Sequence, residues 1–197
     1  MRQSNTKQTI LTEAVKLFAQ KGYTAVTVEM IAAAVGIKAP SLYKHFKSKQ
    51  EIFQSVLREM ERRDAENAAG FSLPTESVET APQTYADVSV PAFMEYCKWQ
   101  FRYWTEDPFA SEFRKMLTVE QYENAEMNAL YHQYLGAGPL QYTEDLLHSS
   151  SRALALYGPM HMLYGVYDRA ADKPAVFALL QTHLAQWYAF FFEEKGE

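Results

Sequence analysis

Cysteine occurs once in the 197 residues, at Cys97. A single thiol closes no intrachain disulfide and builds no zinc quartet from cysteine, so packing must hold the fold, and a reducing compartment is the simplest setting. No run of about 18 uncharged apolar residues is present, which argues against a helical membrane span. The opening MRQSNTKQTILTEAVKLF lacks the continuous apolar core of a secretory leader, so a cytoplasmic location is expected. Alternating apolar and polar stretches are missing, as are hairpin signals, and no strand is expected. There is no GxSxG, HExxH or glycine-rich phosphate loop, and His45, His132, His148, His161 and His183 are scattered. No catalytic residue, cofactor or metal site is expected.

What is abundant is apolar and aromatic. Hydrophobic residues make up 48% and aromatic residues 14% of the chain, enough for a substantial core and against disorder. The net charge of −5 hides a lopsided distribution. Residues 1–63 hold 11 Lys+Arg against 5 Glu, a net of +6, while residues 64–197 hold 8 against 19 acidic residues, a net of −11. A basic N-terminal third within an acidic chain points to a polyanionic partner for that third alone.

Helical spacing dominates. Ile10, Leu11, Ala14, Val15 and Phe18 mark an amphipathic helix over 6–21, stopped by Gly22. Thr27 is placed to cap a second helix reaching Ala34, and Gly36 follows where the backbone must turn with positive φ. Pro40 suits the first turn of a third helix, PSLYKHF, and Ser48 caps a fourth beginning at Lys49. Two short helices joined by a glycine turn between two longer ones describe a helix-turn-helix. In such a unit the second helix enters the DNA major groove and its first residues meet base edges. Here that end offers Lys38, Ala39, Pro40 and Ser41, then Tyr43, Lys44 and His45, with Lys47 and Lys49 at the next helix start.

Beyond Arg63 the Ser/Thr/Pro-rich ENAAGFSLPTESVETAPQTYADVS reads as a helix end and a connection. Helices are expected from Pro91 to Trp104, after Pro108, from a Thr118–Gln121 capping box to Tyr134, over PLQYTEDLLH, over 150–170, and over 173–194 capped by Asp172. The fold class is all-α, with a helix-turn-helix domain over 1–48 and a second helical domain over 49–197, entered through a connecting helix at 49–67.

The stretch TVEMIAAAVGIKAPSLYKHFKSKQEIF resembles the N-terminal signature of the tetracycline-repressor (TetR) family of transcriptional regulators, over about residues 7–57. The resemblance implies a three-helix DNA-binding region, a ligand-binding helical core and dimerisation through the last two helices. By position, Tyr43, His45 and Lys49 would contact phosphates, and Thr27 would hold a phosphate at its helix N-terminus. Glu29, Lys38, Ala39, Pro40, Ser41 and Lys44 would face the groove. Lys38 departs from the serine or threonine common there, which leaves the cap of that helix open.

Aromatic residues crowd 92–104 and recur to Tyr134, among polar residues that need partners or a cavity. Tyr96, Trp99, Arg102, Tyr103, Phe113, Met116, Tyr131 and His132 are the candidate lining of a small-molecule pocket. In the last two helices Gly158 and Gly165 share one side, and Phe177, Leu180, Leu184, Trp187 and Phe191 give more apolar surface than a lone helix needs. These seven are the candidate interface of a homodimer matching a near-palindromic operator in double-stranded DNA. The expected function is a ligand-responsive regulator, a repressor released by a small molecule. Two other readings stay open: an aromatic-pocket enzyme with a vestigial helix-turn-helix, and a DNA-binding factor without an effector.

Overall fold

The computed structural model describes residues 2–71, 89–123 and 125–193. Among these it is helical, without strands. The elements are α1 (Arg2–Lys21), α2 (Val28–Val35), α3 (Ala39–Leu42), α4 (Lys49–Phe71), α5 (Val90–Glu106) and α6 (Ala110–Glu120), followed by α7 (Ala125–Tyr134), α8 (Ala137–Leu147), α9 (Ser150–Arg169) and α10 (Lys173–Tyr188), the last running into a π-helical segment, Ala189–Glu193.

Side chains set several of the helix starts. Thr27 accepts from the Met30 N–H, Ser48 from Glu51, Ser149 from Arg152 and Asp172 from Ala175, each satisfying an amide with no intrahelical partner. Gly36 ends α2 at φ 77°, a left-handed conformation that glycine adopts without a Cβ penalty. The expected third helix is shorter than its sequence pattern. Regular helix stops at Leu42, and His45 donates to the Leu42 carbonyl at 2.8 Å in a tightened turn.

The 118–121 reading is corrected. Thr118 and Glu120 close α6 rather than open a helix: the Thr118 hydroxyl donates to the Arg114 carbonyl and the Gln121 amide to the Thr118 carbonyl. The next helix starts at Ala125. A second correction concerns α4, which continues to Phe71 instead of ending before the connection. The remainder of that expected connection, residues 72–88, lies outside the described residues.

The described residues form two compact units, one from residues 1–67 and 107–131, the other from 68–106 and 132–197. In the first, Ile10, Ala14, Val15, Phe18, Ile31, Leu42, Ile52 and Val56 are buried, joined by Phe113, Met116 and Leu117 of α6. Phe18, Tyr23 and Phe53 pack as a triangle of rings with centroids 5.1–6.1 Å apart. In the second, Phe101 lies against Tyr164 and Tyr167, and Leu156, Met160, Leu180 and Leu184 are buried. Among the described residues no helix is long and apolar enough to cross a membrane.

Candidate nucleic-acid interface

Residues 27–47 have an inner and an outer face. Val28, Ile31, Ala32, Leu42 and Phe46 are buried, while Thr27, Glu29, Lys38, Pro40, Tyr43, Lys44 and Lys47 are exposed. Ala39, Ser41 and His45 are half-buried on the same short segment. Tyr43 is 47% exposed. Lys38, Lys44 and Lys47 form no ion pair with another described residue. The turn thus presents three unneutralised cations beside hydroxyl and imidazole groups, a chemistry suited to phosphate oxygens and base edges.

Lys38 sits at the N-cap of α3 in extended conformation, where an ammonium, having no acceptor, makes no side-chain cap bond. Thr27 already uses its hydroxyl as an acceptor for Met30; its donor proton remains for an oxygen beyond the helix.

Lys49 differs from the other lysines. Its Nζ donates to the carbonyls of Tyr23 at 2.7 Å, Val26 at 2.8 Å and Thr24 at 3.2 Å, and lies 4.4 Å from the centre of the Tyr23 ring. An ammonium has three donors, and all three are engaged within the chain. The phosphate contact expected of Lys49 therefore conflicts with its geometry: it holds the turn before α2.

The eight pocket candidates are distributed over both units. Phe113 and Met116 are fully buried core of the first unit, where Tyr131 also lies. In the second, Tyr96, Trp99 and Tyr103 stack along α5 with centroids 5.9 and 5.1 Å apart. Arg102 turns instead over the Phe177 ring at 4.0 Å, beside an open groove of about 490 Å³ shared with Glu106, Tyr167, Lys173, Pro174 and Gln181. His132 is exposed at the end of α7. Cys97 is buried, which pushes its thiol up to about 12, so it stays protonated and unreactive at neutral pH. Among the described residues no three His, Cys, Asp or Glu side chains cluster to hold a metal.

The interface candidates also separate. Leu180 and Leu184 are fully buried, Trp187 is buried and donates its indole N–H to the Arg152 carbonyl, and Phe177 lies beneath Arg102. Leu180, Leu184 and Trp187 thus belong to the chain's own core, while Phe177 is half-buried. Phe191 packs at the edge, against Trp187 and Phe190. What remains outward is Leu154, Met162 and Val166 on α9 and Leu179 on α10. Gly158 and Gly165 share the α9 stripe: a Cβ at Gly165 would meet nothing within 4 Å, and one at Gly158 only Leu154, at 3.9 Å. The spacing of 154, 158, 162, 165 and 166 along a helix could have revealed this stripe.

Residues 10–56 match the family described as bacterial regulatory proteins, tetR family. A 76-residue stretch is 40% identical to the HTH-type transcriptional repressor ComR of Escherichia coli K12, covering 38% of this chain and 36% of that protein. A 52-residue stretch is 42% identical to IcaR of Staphylococcus aureus strain Newman, the HTH-type negative transcriptional regulator of the biofilm operon icaADBC, covering 26% and 28%. The matched region thus spans about a third of these curated relatives. Likeness of fold extends much further. The fatty acid degradation regulator FadR from Bacillus halodurans superposes with a TM-score of 0.60 at 16% identity, over 95% of this chain and 96% of that one. SmeT, repressor of the multidrug efflux pump SmeDEF of Stenotrophomonas maltophilia, gives 0.59 at 17% over 93% and 89%; its triclosan complex gives 0.63 at 16% over 94% and 91%.

Proposed function

We propose that this chain, whose residues 10–56 match the tetR family of bacterial regulatory proteins, is a dimeric, DNA-binding transcriptional repressor released from its operator by a small molecule. The observation that carries the reading is the divided surface of residues 27–47, apolar inside and cationic outside, within the region the family shares. Thr27, Tyr43 and His45 meet phosphates in this reading. Glu29, Lys38, Ala39, Pro40, Ser41 and Lys44 face the groove, where the first residues of a recognition helix read base edges.

Dimerisation uses the outward stripe of α9 and α10. Leu154, Met162, Val166 and Leu179 supply apolar area, and the two glycines let a second helix approach closely. The same stripe on a second copy gives a two-fold contact, which suits a near-palindromic site with half-sites about 34–36 Å apart or multiples of that. Effector release is supported by the aromatic wealth of residues 92–134 and by a relative of the same fold in complex with triclosan. An effector that weakens DNA binding must itself bind less tightly to the DNA-bound protein.

The test is binding of the purified protein to DNA from immediately upstream of its own coding sequence, against a scrambled duplex. Tight binding to the first alone is expected. Absence of binding to either duplex at low salt would refute the reading.

A further inference from the structure

The first unit contains a closed circuit of polar contacts that the proposed DNA surface does not use. It begins at Tyr23, in the turn between α1 and α2. Its backbone N–H donates to Glu120 Oε1 at 2.6 Å, and its carbonyl accepts from Lys49 Nζ at 2.7 Å. One residue is therefore gripped on its donor by the last turn of α6 and on its acceptor by the first turn of α4. The circuit closes at the other end of α6. Asp107 Oδ1 accepts from the N–H groups of Phe109 and Ala110 at 2.9 and 2.8 Å, and from Arg63 of α4 at 3.2 Å. Arg63 is anchored in turn by Glu59 at 2.8 Å and lies over the Phe109 ring. Helix α6, 11 residues and so about 16 Å long, is a strut fixed at both ends.

Glu120 is the telling member. It is 4% exposed, a rare position for a carboxylate, and among the described residues its carboxylate accepts from a peptide N–H 97 residues away in sequence. An apolar side chain would fill such a place with no desolvation cost. Gly22 makes room for it: φ is 78°, and a Cβ there would come within 3.0 Å of Glu120 Oε1. The turn carries Val26, buried, and then Thr27, the cap of α2, so its shape sets where the helix-turn-helix begins.

We propose that Glu120 and Lys49 are positioning residues for DNA binding, clamping the turn 22–26 from opposite sides so that α2 and α3 face DNA in one geometry. This rests on the DNA-binding reading above and names what holds that surface in place. Loss of the Glu120 bond to Tyr23 frees the turn, and the DNA-facing helices lose their fixed setting without any loss of surface charge.

The experiment compares wild type, Glu120→Ala, Glu120→Asp and Glu120→Gln in full-length protein by hydrogen exchange and by binding to the upstream duplex at several salt concentrations. Glutamine keeps an acceptor at the right reach; aspartate keeps the charge but withdraws it by one methylene, so it reports even if the alanine variant folds poorly. Alanine and aspartate are expected to speed exchange of the Tyr23 amide at least tenfold and weaken DNA binding at least tenfold. The slope of log K against log salt should stay unchanged, because no phosphate contact is lost. Glutamine should stay within about threefold of wild type in both readouts. DNA affinity within twofold of wild type for both alanine and aspartate variants would overturn the proposal. Failure of the wild type itself to bind any duplex would instead overturn the DNA-binding reading on which it rests.

Discussion

Lys49 and Lys44 carry the same group and are put to opposite uses. The ammonium of Lys49 is consumed by three carbonyls, whereas Lys44 stands exposed with no ion pair to another described residue. Lys49→Ala is expected to lower the unfolding free energy by about 2 kcal/mol, since it strips a charged donor from three acceptors. Denaturant titration measures that loss. The salt slope of DNA binding should not change, as it would if Lys49 held a phosphate. Asp64 offers a second residue-scale test. Burial, with the charge of Glu61 adding, pushes its carboxyl up to about 7. A carboxyl that holds its proton more tightly folded than unfolded favours the fold at low pH and disfavours it once ionised. Its penalty therefore grows from about pH 4 to pH 7 and is complete above. Asp64→Asn should gain on the order of 2 kcal/mol relative to wild type at pH 8 and little at pH 4. Equal effects at both pH values would contradict the burial of that carboxyl. Glu59 runs the other way: hydrogen bonds from Arg62 and then Arg63 hold it down at about 2, and its contribution is lost as pH falls through that value.

At the scale of elements, the two left-handed glycines separate conformation from contact. Gly36 has nothing within 4 Å of an added Cβ, so Gly36→Ala should cost only the backbone strain, about 1 kcal/mol. Gly22 adds the close approach to Glu120, so Gly22→Ala should cost more and also loosen the Tyr23 amide. Thermal melts of the two variants rank them directly. Helix starts were legible because a cap is a local event: Thr27, Ser48 and Asp172 each bond an amide three residues on. Helix ends were less so. Thr118 and Gln121 fit a capping box by type, yet the same groups bond backward to Arg114 and Thr118, and sequence spacing does not tell the two apart. The roles of Glu120 and Asp107 were invisible for a different reason. Their partners lie 97 and 44 residues away, and no local period encodes such a pairing. Within residues 38–47 the inner face was readable from the spacing of Leu42 and Phe46, both of which are buried.

At the scale of the whole molecule, apolar surplus had to be divided between core and interface, and composition could not divide it. Leu180 and Leu184 went to the core, while Leu154, Met162, Val166 and Leu179 stayed outward. Leu180→Ala should therefore cost about 2–5 kcal/mol of stability through the cavity it leaves. Met162→Glu should leave stability nearly unchanged and shift the protein to a monomer in sedimentation, if the α9–α10 stripe joins two copies. Charge divides along the sequence in a parallel way, +6 in residues 1–63 and −11 beyond, so DNA should be drawn to the N-terminal end alone. The most direct measurement is the salt dependence of binding to the upstream duplex, wild type against Lys44→Ala. The slope of log K against log salt should flatten by about one unit in the variant, with its thermal stability intact. An unchanged slope, or a wild type that binds no DNA at low salt, would contradict the assignment of the 27–47 surface to nucleic acid.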